Sequence, residues 1–259
     1  MTATDADFSR WDWEDPDSLN PLMESFTATL AEAESVRPIA LAPPYDAASL
    51  AGLGITGVEF AAFKTAHPAG LAADLVGVHS PDATTEPGGI YRIDDESYFV
   101  QLDISQPLPF ADAAVGWVYA EHLIEHVPLP VAVRWLREVH RILVPGGRLR
   151  LTTPDLGKYV EGYLAGEKFF ARHRRRVDLG IGVAPPMPAR NAFMFNQIFY
   201  LYGHKWLYDQ AELEYVLTQA GFEPAAIEPC SYRCGADAEI ANLDQMFRND
   251  ETLYLEVVR

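Results

Sequence analysis

A chain of 259 residues with 49% hydrophobic and 12% aromatic side chains can bury one substantial core, which argues for a globular rather than a disordered protein. Its formal charge of −17 repels phosphate backbones and anionic headgroups, so nucleic acids and membrane surfaces are poor partners. No apolar run reaches the roughly 18 residues of a membrane span, and the acidic start MTATDADFSRWDWEDPD is no signal peptide, which points to the cytoplasm.

In chain order, residues 1–20 form an acidic arm with six carboxylates against one arginine. Trp11 and Trp13 in that arm either dock on the body as a packing clip or close over a substrate as part of a lid. Residues 18–35 suit a helix, with Ser18 or Asn20 as cap, Pro21 near the first turn and Leu22, Phe26 and Leu30 on one face. Prolines and glycines break the chain over 38–54, and a shorter helix is expected over 57–66.

The sheet is expected to begin with LAADLVGV at 71–78, followed by the loop HSPDATTEPGG. GIYRI then makes a short strand ending at Asp94 and Asp95, and YFVQLDI a strand ending at Asp103. VGWVYA is a fourth strand. In VPLPVAVRWLREVHRIL, Val133, Leu136, Val139, Ile142 and Leu143 recur at spacings of three and four, the pattern of an amphipathic helix. Pro145-Gly146-Gly147 stops it and leads into RLRLTTP, a fifth strand.

Residues 156–203 interrupt this alternation with aromatics, arginines and prolines, and include a helix at NAFMFNQIFYLY. An insertion after a strand end is where substrate-recognising structure is usually carried. Its basic run, Lys168 and Arg172 to Arg176, is a solvated helix face or a docking surface for an anionic substrate. YDQAELEYVLTQAGF reads as a last helix closed by Gly221, and FEPAAIEP and ETLYLEVVR as a final antiparallel strand pair. Cys230 and Cys234 lack a second Cys or His pair nearby, and no residue set is assigned to a metal. The chain thus divides into an N-terminal arm with helices at 1–66 and an α/β body at 67–259 with a substrate cap at 156–203. The body is a Rossmann-like, doubly wound, mostly parallel sheet.

Four pieces in this order carry a family resemblance: QLDISQPLPFADAAVGWVYA, EHLIEHV, LREVHRILVPGGRLRLTTPD and YGHKWLYDQAELEYVLTQAGF. Together they resemble class I S-adenosylmethionine-dependent methyltransferases, in the type 11 small-molecule branch. The resemblance implies the class I methyltransferase fold and S-adenosylmethionine as cofactor. It implies that the family's glycine-rich turn falls at Gly77-Val78-His79-Ser80-Pro81, with Gly77 and His79 against the cofactor. By the same resemblance Asp94 or Asp95 accepts from the ribose hydroxyls, Asp103 from the adenine amino group, and Ile104 touches the ring. Tyr119 and Glu121 would line the methionyl part or the methyl-transfer mouth.

Methyl transfer requires the two reacting atoms to be held in line, and a base only where the acceptor must lose a proton. His122 and His126, with Glu121 or Glu125 nearby, could supply a base or a metal ligand, and His122 is favoured as base because it lies nearest the strand end. Asp155 could orient the acceptor or cap the next helix. His204, Trp206 and Tyr208 could wall the acceptor pocket or pack against the last helix. The expected activity is methylation of a hydroxyl or amine on a small-molecule acceptor, by a chain for which a homodimer is admissible. The alternatives are a fold relative that has lost methyl transfer, binding another ligand or catalysing a rearrangement or elimination, and a non-catalytic partner subunit.

Overall fold

The computed structural model describes residues 31–165, 168–180, 190–200 and 202–259; Trp11, Trp13 and residues 18–30 of the expected first helix lie outside them. The strands in chain order are β1 (Ala31–Glu32), β2 (Val36–Pro38), β3 (Gly57–Phe60), β4 (Gly70–Asp74), β5 (Val78–His79) and β6 (Ile90–Ile93). β7 (Ser97–Gln101), β8 (Val115–Glu121), β9 (Leu143–Pro154), β10 (Ile227–Cys230) and β11 (Thr252–Val258) follow. The helices are α1 (Ala47–Gly52), α2 (Leu129–Ile142), α3 (Leu156–Ala165), α4 (Lys168–Gly180), α5 (Asn191–Tyr200), α6 (Gln210–Gln219) and α7 (Ala238–Ala241). None is long and apolar enough to cross a membrane among the described residues.

Nine strands form one sheet in the order β10-β11-β9-β8-β3-β4-β7-β6-β2. The central ladders β9-β8, β8-β3, β3-β4 and β4-β7 are parallel, while β11 and β10 add antiparallel at one edge and β6 and β2 at the other. This is the expected mixed α/β sheet with its antiparallel C-terminal pair.

Its first parallel strand is not where the sequence placed it. Gly57–Phe60, expected as helix, is β3 and is buried throughout. The segment GVEF, with Val58 and Phe60 toward one face and Glu59 toward the other, spans only four residues, over which helical periodicity cannot be read. The predicted first strand at 71–78 is therefore the second, cut to Gly70–Asp74. Residues 31–32 are likewise extended, pairing with β5 in a separate two-stranded ladder.

One sheet face packs on helices. Ala132, Trp135, Leu136, Val139 and Ile142 of α2, with Leu213, Val216 and Leu217 of α6, cover Val58, Phe60, Val118, Ala120, Leu149 and Leu151. The other face is closed differently. Residues 61–69 join the neighbouring parallel strands β3 and β4 with no helix, where a crossover of a dozen or more residues is usual. The chain between β10 and β11 fills the space instead: Ile240 and Leu243 pack on Trp117 and Tyr119. His67, in the short connection, lies against Trp117 with ring centroids 4.5 Å apart. Gly57 makes this possible, since a Cβ there would sit 2.1 Å from the Trp117 ring.

A buried ion-pair network fastens the C-terminal segment. Arg150, fully buried on β9, donates to both carboxylate oxygens of Asp244 at 2.8 and 2.5 Å, to Glu256 at 2.9 Å, and to the carbonyls of Ser231 and Cys234. Every charge is partnered, so the set fixes the geometry of this segment even where its net stabilisation is small. Residues 156–200 include helices α3, α4 and α5, which share a small core of their own around Tyr159, Phe170, Met194 and Ile198. This core sits beyond the carboxyl end of β9.

Candidate functional site

The sheet's strand order reverses at β3, with β4 and β7 on one side and β8 and β9 on the other. Ligands of doubly wound sheets bind at such a switch point, outside the carboxyl ends of the strands. A cleft of about 300 Å³ lies there, lined by Glu59, Ala61, Phe63, Tyr119, Glu121 and Arg248 among others. Glu59 and Glu121 are the last or next-to-last residues of β3 and β8, and alternation along each strand turns both away from the helix-covered face.

The electrostatics of the cleft are unusual. Burial pushes the Glu59 carboxyl up to about 7, although Thr65 hydrogen-bonds to it, and its Oε2 has no hydrogen-bond partner. Burial also raises Glu121, with Arg248 opposing the shift; its Oε1 accepts from the Gln245 backbone N–H at 3.1 Å. The buried Nε of Arg248 likewise has no partner. Glu59 and Arg248, each holding one buried polar atom without a hydrogen-bond partner, thus line one cavity. Tyr119 is spoken for by Asp244, to which its hydroxyl donates at 3.3 Å.

The expected cofactor residues are dispersed by the structure. Tyr119 and Glu121 line the cleft. Asp103 and Ile104 follow β7 at the same end of the sheet, but Asp103 is exposed and accepts from Ser105 N at 2.8 Å, while Ile104 is in the main core. Gly77 and His79 lie past the second parallel strand rather than the first. A Cβ on Gly77 would fall 2.7 Å from Gln101 Oε1 and Thr85 Oγ1, so this glycine serves packing. His79 belongs to β5, paired with Glu32. Asp94 and Asp95 turn β6 into β7 at the amino ends of the parallel strands, opposite the cleft. There Asp94 Oδ1 accepts from Ser35 N and Asp95 pairs with Arg37. The misplacement of these four residues follows from taking 71–78 as the first strand. The carboxylate that does end the second parallel strand is Asp74, half-buried, with its Oδ1 accepting from Val76 N. Glu59 and Asp74 each interrupt an apolar run, GVEFAAF and LAADLVGV, and a lone acid there is their only sequence signal; Gln245 and Arg248 come from a distant loop and have no local signal.

His122 follows β8 with φ +51 and is almost fully buried. Its Nε2 lies 2.8 Å from Thr252 Oγ1, whose own hydrogen goes to the Arg248 carbonyl, so Nε2 carries the ring proton. Nδ1 faces Glu125 Oε1 at 3.5 Å. Burial holds the imidazole well below its ordinary pKa. His122 is therefore neutral, and its hydrogen bond ties the end of β8 to β11. Asp155 Oδ1 accepts from Gly157 N at 2.9 Å in the first turn of α3, the capping arrangement. Trp206 donates to Glu212, and Tyr208 is buried in the main core. These two pack against the last helix region rather than opening on the cleft. His204 instead meets His126, the ring centroids 4.7 Å apart.

Residues 56–151, from the start of β3 through most of β9, match the family described as a methyltransferase domain. Among solved structures, the chain is similar to a putative methyltransferase from Haloferax volcanii in complex with the Trm112 activator. The two are 17% identical, with a TM-score of 0.44, over 83% of this chain and 84% of that one. An S-adenosylmethionine-dependent methyltransferase from Mesorhizobium loti is 16% identical over 82% of this chain and 96% of that one, with a TM-score of 0.43. A possible histamine N-methyltransferase from Thermotoga maritima is 16% identical over 78% and 81%, with a TM-score of 0.42. No curated protein matches the chain.

S-adenosylmethionine is the cofactor this family implies, and the cleft suits its methionyl end. That end is an amino-acid zwitterion, and the lining of the cleft offers it the carboxylates of Glu59 and Glu121 and the guanidinium of Arg248. The turn after β3 contains no glycine, but its first two residues are alanines, and Ala61 adopts φ +58. The backbone therefore keeps a left-handed turn with minimal side chains beside the cavity.

Proposed function

We propose that the protein transfers the methyl group of S-adenosylmethionine to a hydroxyl or amine of a small-molecule acceptor. The observation that carries this reading is that Glu59, Glu121 and Arg248 line one cavity at the switch point of the sheet, within the segment that matches the methyltransferase family. When bound, the cofactor supplies a methyl group on a sulfonium, already electrophilic, so the protein has chiefly to position it and exclude water.

Glu59 and Glu121 hold the ammonium and balance the positive charge, while Arg248 holds the carboxylate. Asp74, ending the second parallel strand, accepts from the ribose hydroxyls, the role the resemblance gives to an acid at that place. Asp103 and Ile104, at the end of the third parallel strand, stand on the adenine side. The acceptor enters from the side of α3–α5, whose separate core leaves the helices as a wall beyond the strand ends. His122 holds the end of β8 through Thr252 and acts as a positioning residue. The net charge of −17 supports a small acceptor over a polyanion.

Calorimetric titration with S-adenosylmethionine and S-adenosylhomocysteine tests the reading. Saturable binding is expected in the wild type, and Glu59→Gln or Arg248→Met should weaken it about tenfold or more, the scale of one charge-assisted hydrogen bond. Wild-type protein that binds neither ligand at millimolar concentration would sink the proposal.

A further inference from the structure

A second group of side chains lies outside the cleft. Glu125, His126 and His204 each present a ligand atom, and these atoms all fall within 4.8 Å of one another. Glu125 is in the short turn Ile124–His126 that follows β8. Its carbonyl accepts from the backbone N–H groups of Lys205 and Trp206, at 2.7 and 3.2 Å. Those two bonds hold the 204–206 segment beside the turn, so the proximity of the two histidines, distant in sequence, is built into the backbone.

The donor set is also oriented. His204 Nδ1 lies 2.5 Å from the Ile198 carbonyl, which can only accept. The ring proton is therefore on Nδ1, and the Nε2 lone pair is left for a ligand. Histidines that bind metals characteristically donate their other nitrogen to a carbonyl or carboxylate in this way. His126 hydrogen-bonds to the Tyr202 backbone, a second anchor of the same kind. Glu125 is fully buried; its Oε2 accepts from Thr153 Oγ1 at 3.1 Å, while its Oε1 makes no hydrogen bond. A buried carboxylate oxygen without a donor is costly unless a cation or proton meets it.

We propose that Glu125, His126 and His204 bind a divalent transition-metal ion, with zinc the first candidate. Two imidazoles and one carboxylate suit zinc and its neighbours and disfavour calcium or magnesium, which take oxygen ligands. Ligand atoms around tetrahedral zinc stand about 3.4 Å apart, so the cluster closes by roughly an ångström or less per side chain on binding. His126 is exposed and His204 half-buried, so the ion keeps an open position toward solvent and the helical cap. That position takes an oxygen ligand. On the methyl-transfer reading, on which only this clause rests, the ligand is an acceptor hydroxyl whose proton the ion makes easier to lose.

The test uses full-length protein stripped with a chelator and titrated with cobalt(II), then zinc. One cobalt per chain with visible ligand-field bands is expected, displaced by stoichiometric zinc. His126→Gln and His204→Gln should each abolish the bands, whereas His79→Gln, on a distant strand, should leave them unchanged. Absence of stoichiometric cobalt or zinc binding by the wild type would overturn the proposal, as would bands that survive the two substitutions combined. If the variants do not fold, X-ray absorption of the zinc-loaded wild type decides: imidazole scattering supports the site and its absence overturns it. None of these readouts depends on S-adenosylmethionine, so failure here leaves the cofactor titration intact, and the reverse.

Discussion

Glu59 is the residue on which the cleft's chemistry turns. Burial lifts its carboxyl from 4.5 to about 7, so between those values the folded chain holds a proton that the unfolded chain has released. Stability therefore falls as pH rises through that window and stays lower above it, by something on the order of 3 kcal/mol. Glu59→Gln should remove this slope, giving urea midpoints that differ less between pH 5 and pH 7.5 than those of the wild type. The same linkage governs cofactor binding. A cationic ligand favours the ionised carboxylate, so affinity for S-adenosylmethionine should rise several-fold between pH 6 and pH 7.5 and stay flat over that range in Glu59→Gln. Equal pH profiles for the two proteins, by calorimetry, would remove Glu59 from the binding site.

At the scale of elements, the departure from expectation lies in the face that β3 and β8 turn away from α2. A short connection at 61–69 replaces a crossover helix, and α7 with its flanking residues covers the exposed strands. Gly57 is the hinge of that arrangement, because Trp117 lies across it. Gly57→Ala should force the indole off the strand and cost about 1–3 kcal/mol, the range for overpacking a filled core. Urea unfolding measures this, and an unchanged midpoint would mean that Trp117 has another place to go. The same segment marks the limit of what could be read from sequence. The long amphipathic helix α2, the strands around it and the antiparallel C-terminal pair were legible because their periodicity runs for several residues and their ends carry proline or glycine. GVEF is too short to show a period; taken as helix, it leaves LAADLVGV as the first parallel strand and the antiparallel edge strand GIYRI as the second, while the third to fifth keep their places. That single shift put the ribose carboxylate at Asp94 and Asp95, at the wrong end of the sheet, and passed over Asp74. The contribution of Gln245 and Arg248 had no local signature, since a loop between two late strands reaches the cleft only through the Arg150 network.

For the whole molecule, the charge of −17 is the property that acts at a distance. S-adenosylmethionine carries one net positive charge near neutral pH and S-adenosylhomocysteine, lacking the sulfonium, carries none. A negative protein attracts the first and is indifferent to the second, and the attraction reaches about 30 Å at 0.01 M salt but only about 8 Å at 0.15 M. Raising salt across that range should therefore weaken binding of the methyl donor more than binding of its product, lowering the donor's preference by a few-fold. Glu59 and Glu121 lie at the bottom of the cleft and are screened less than the surface acids, so part of the preference should persist at the higher salt. Paired titrations of both ligands at the two ionic strengths separate these contributions. Identical salt dependence for donor and product would mean that the surface field does not extend into the cleft, leaving discrimination to the two buried carboxylates alone.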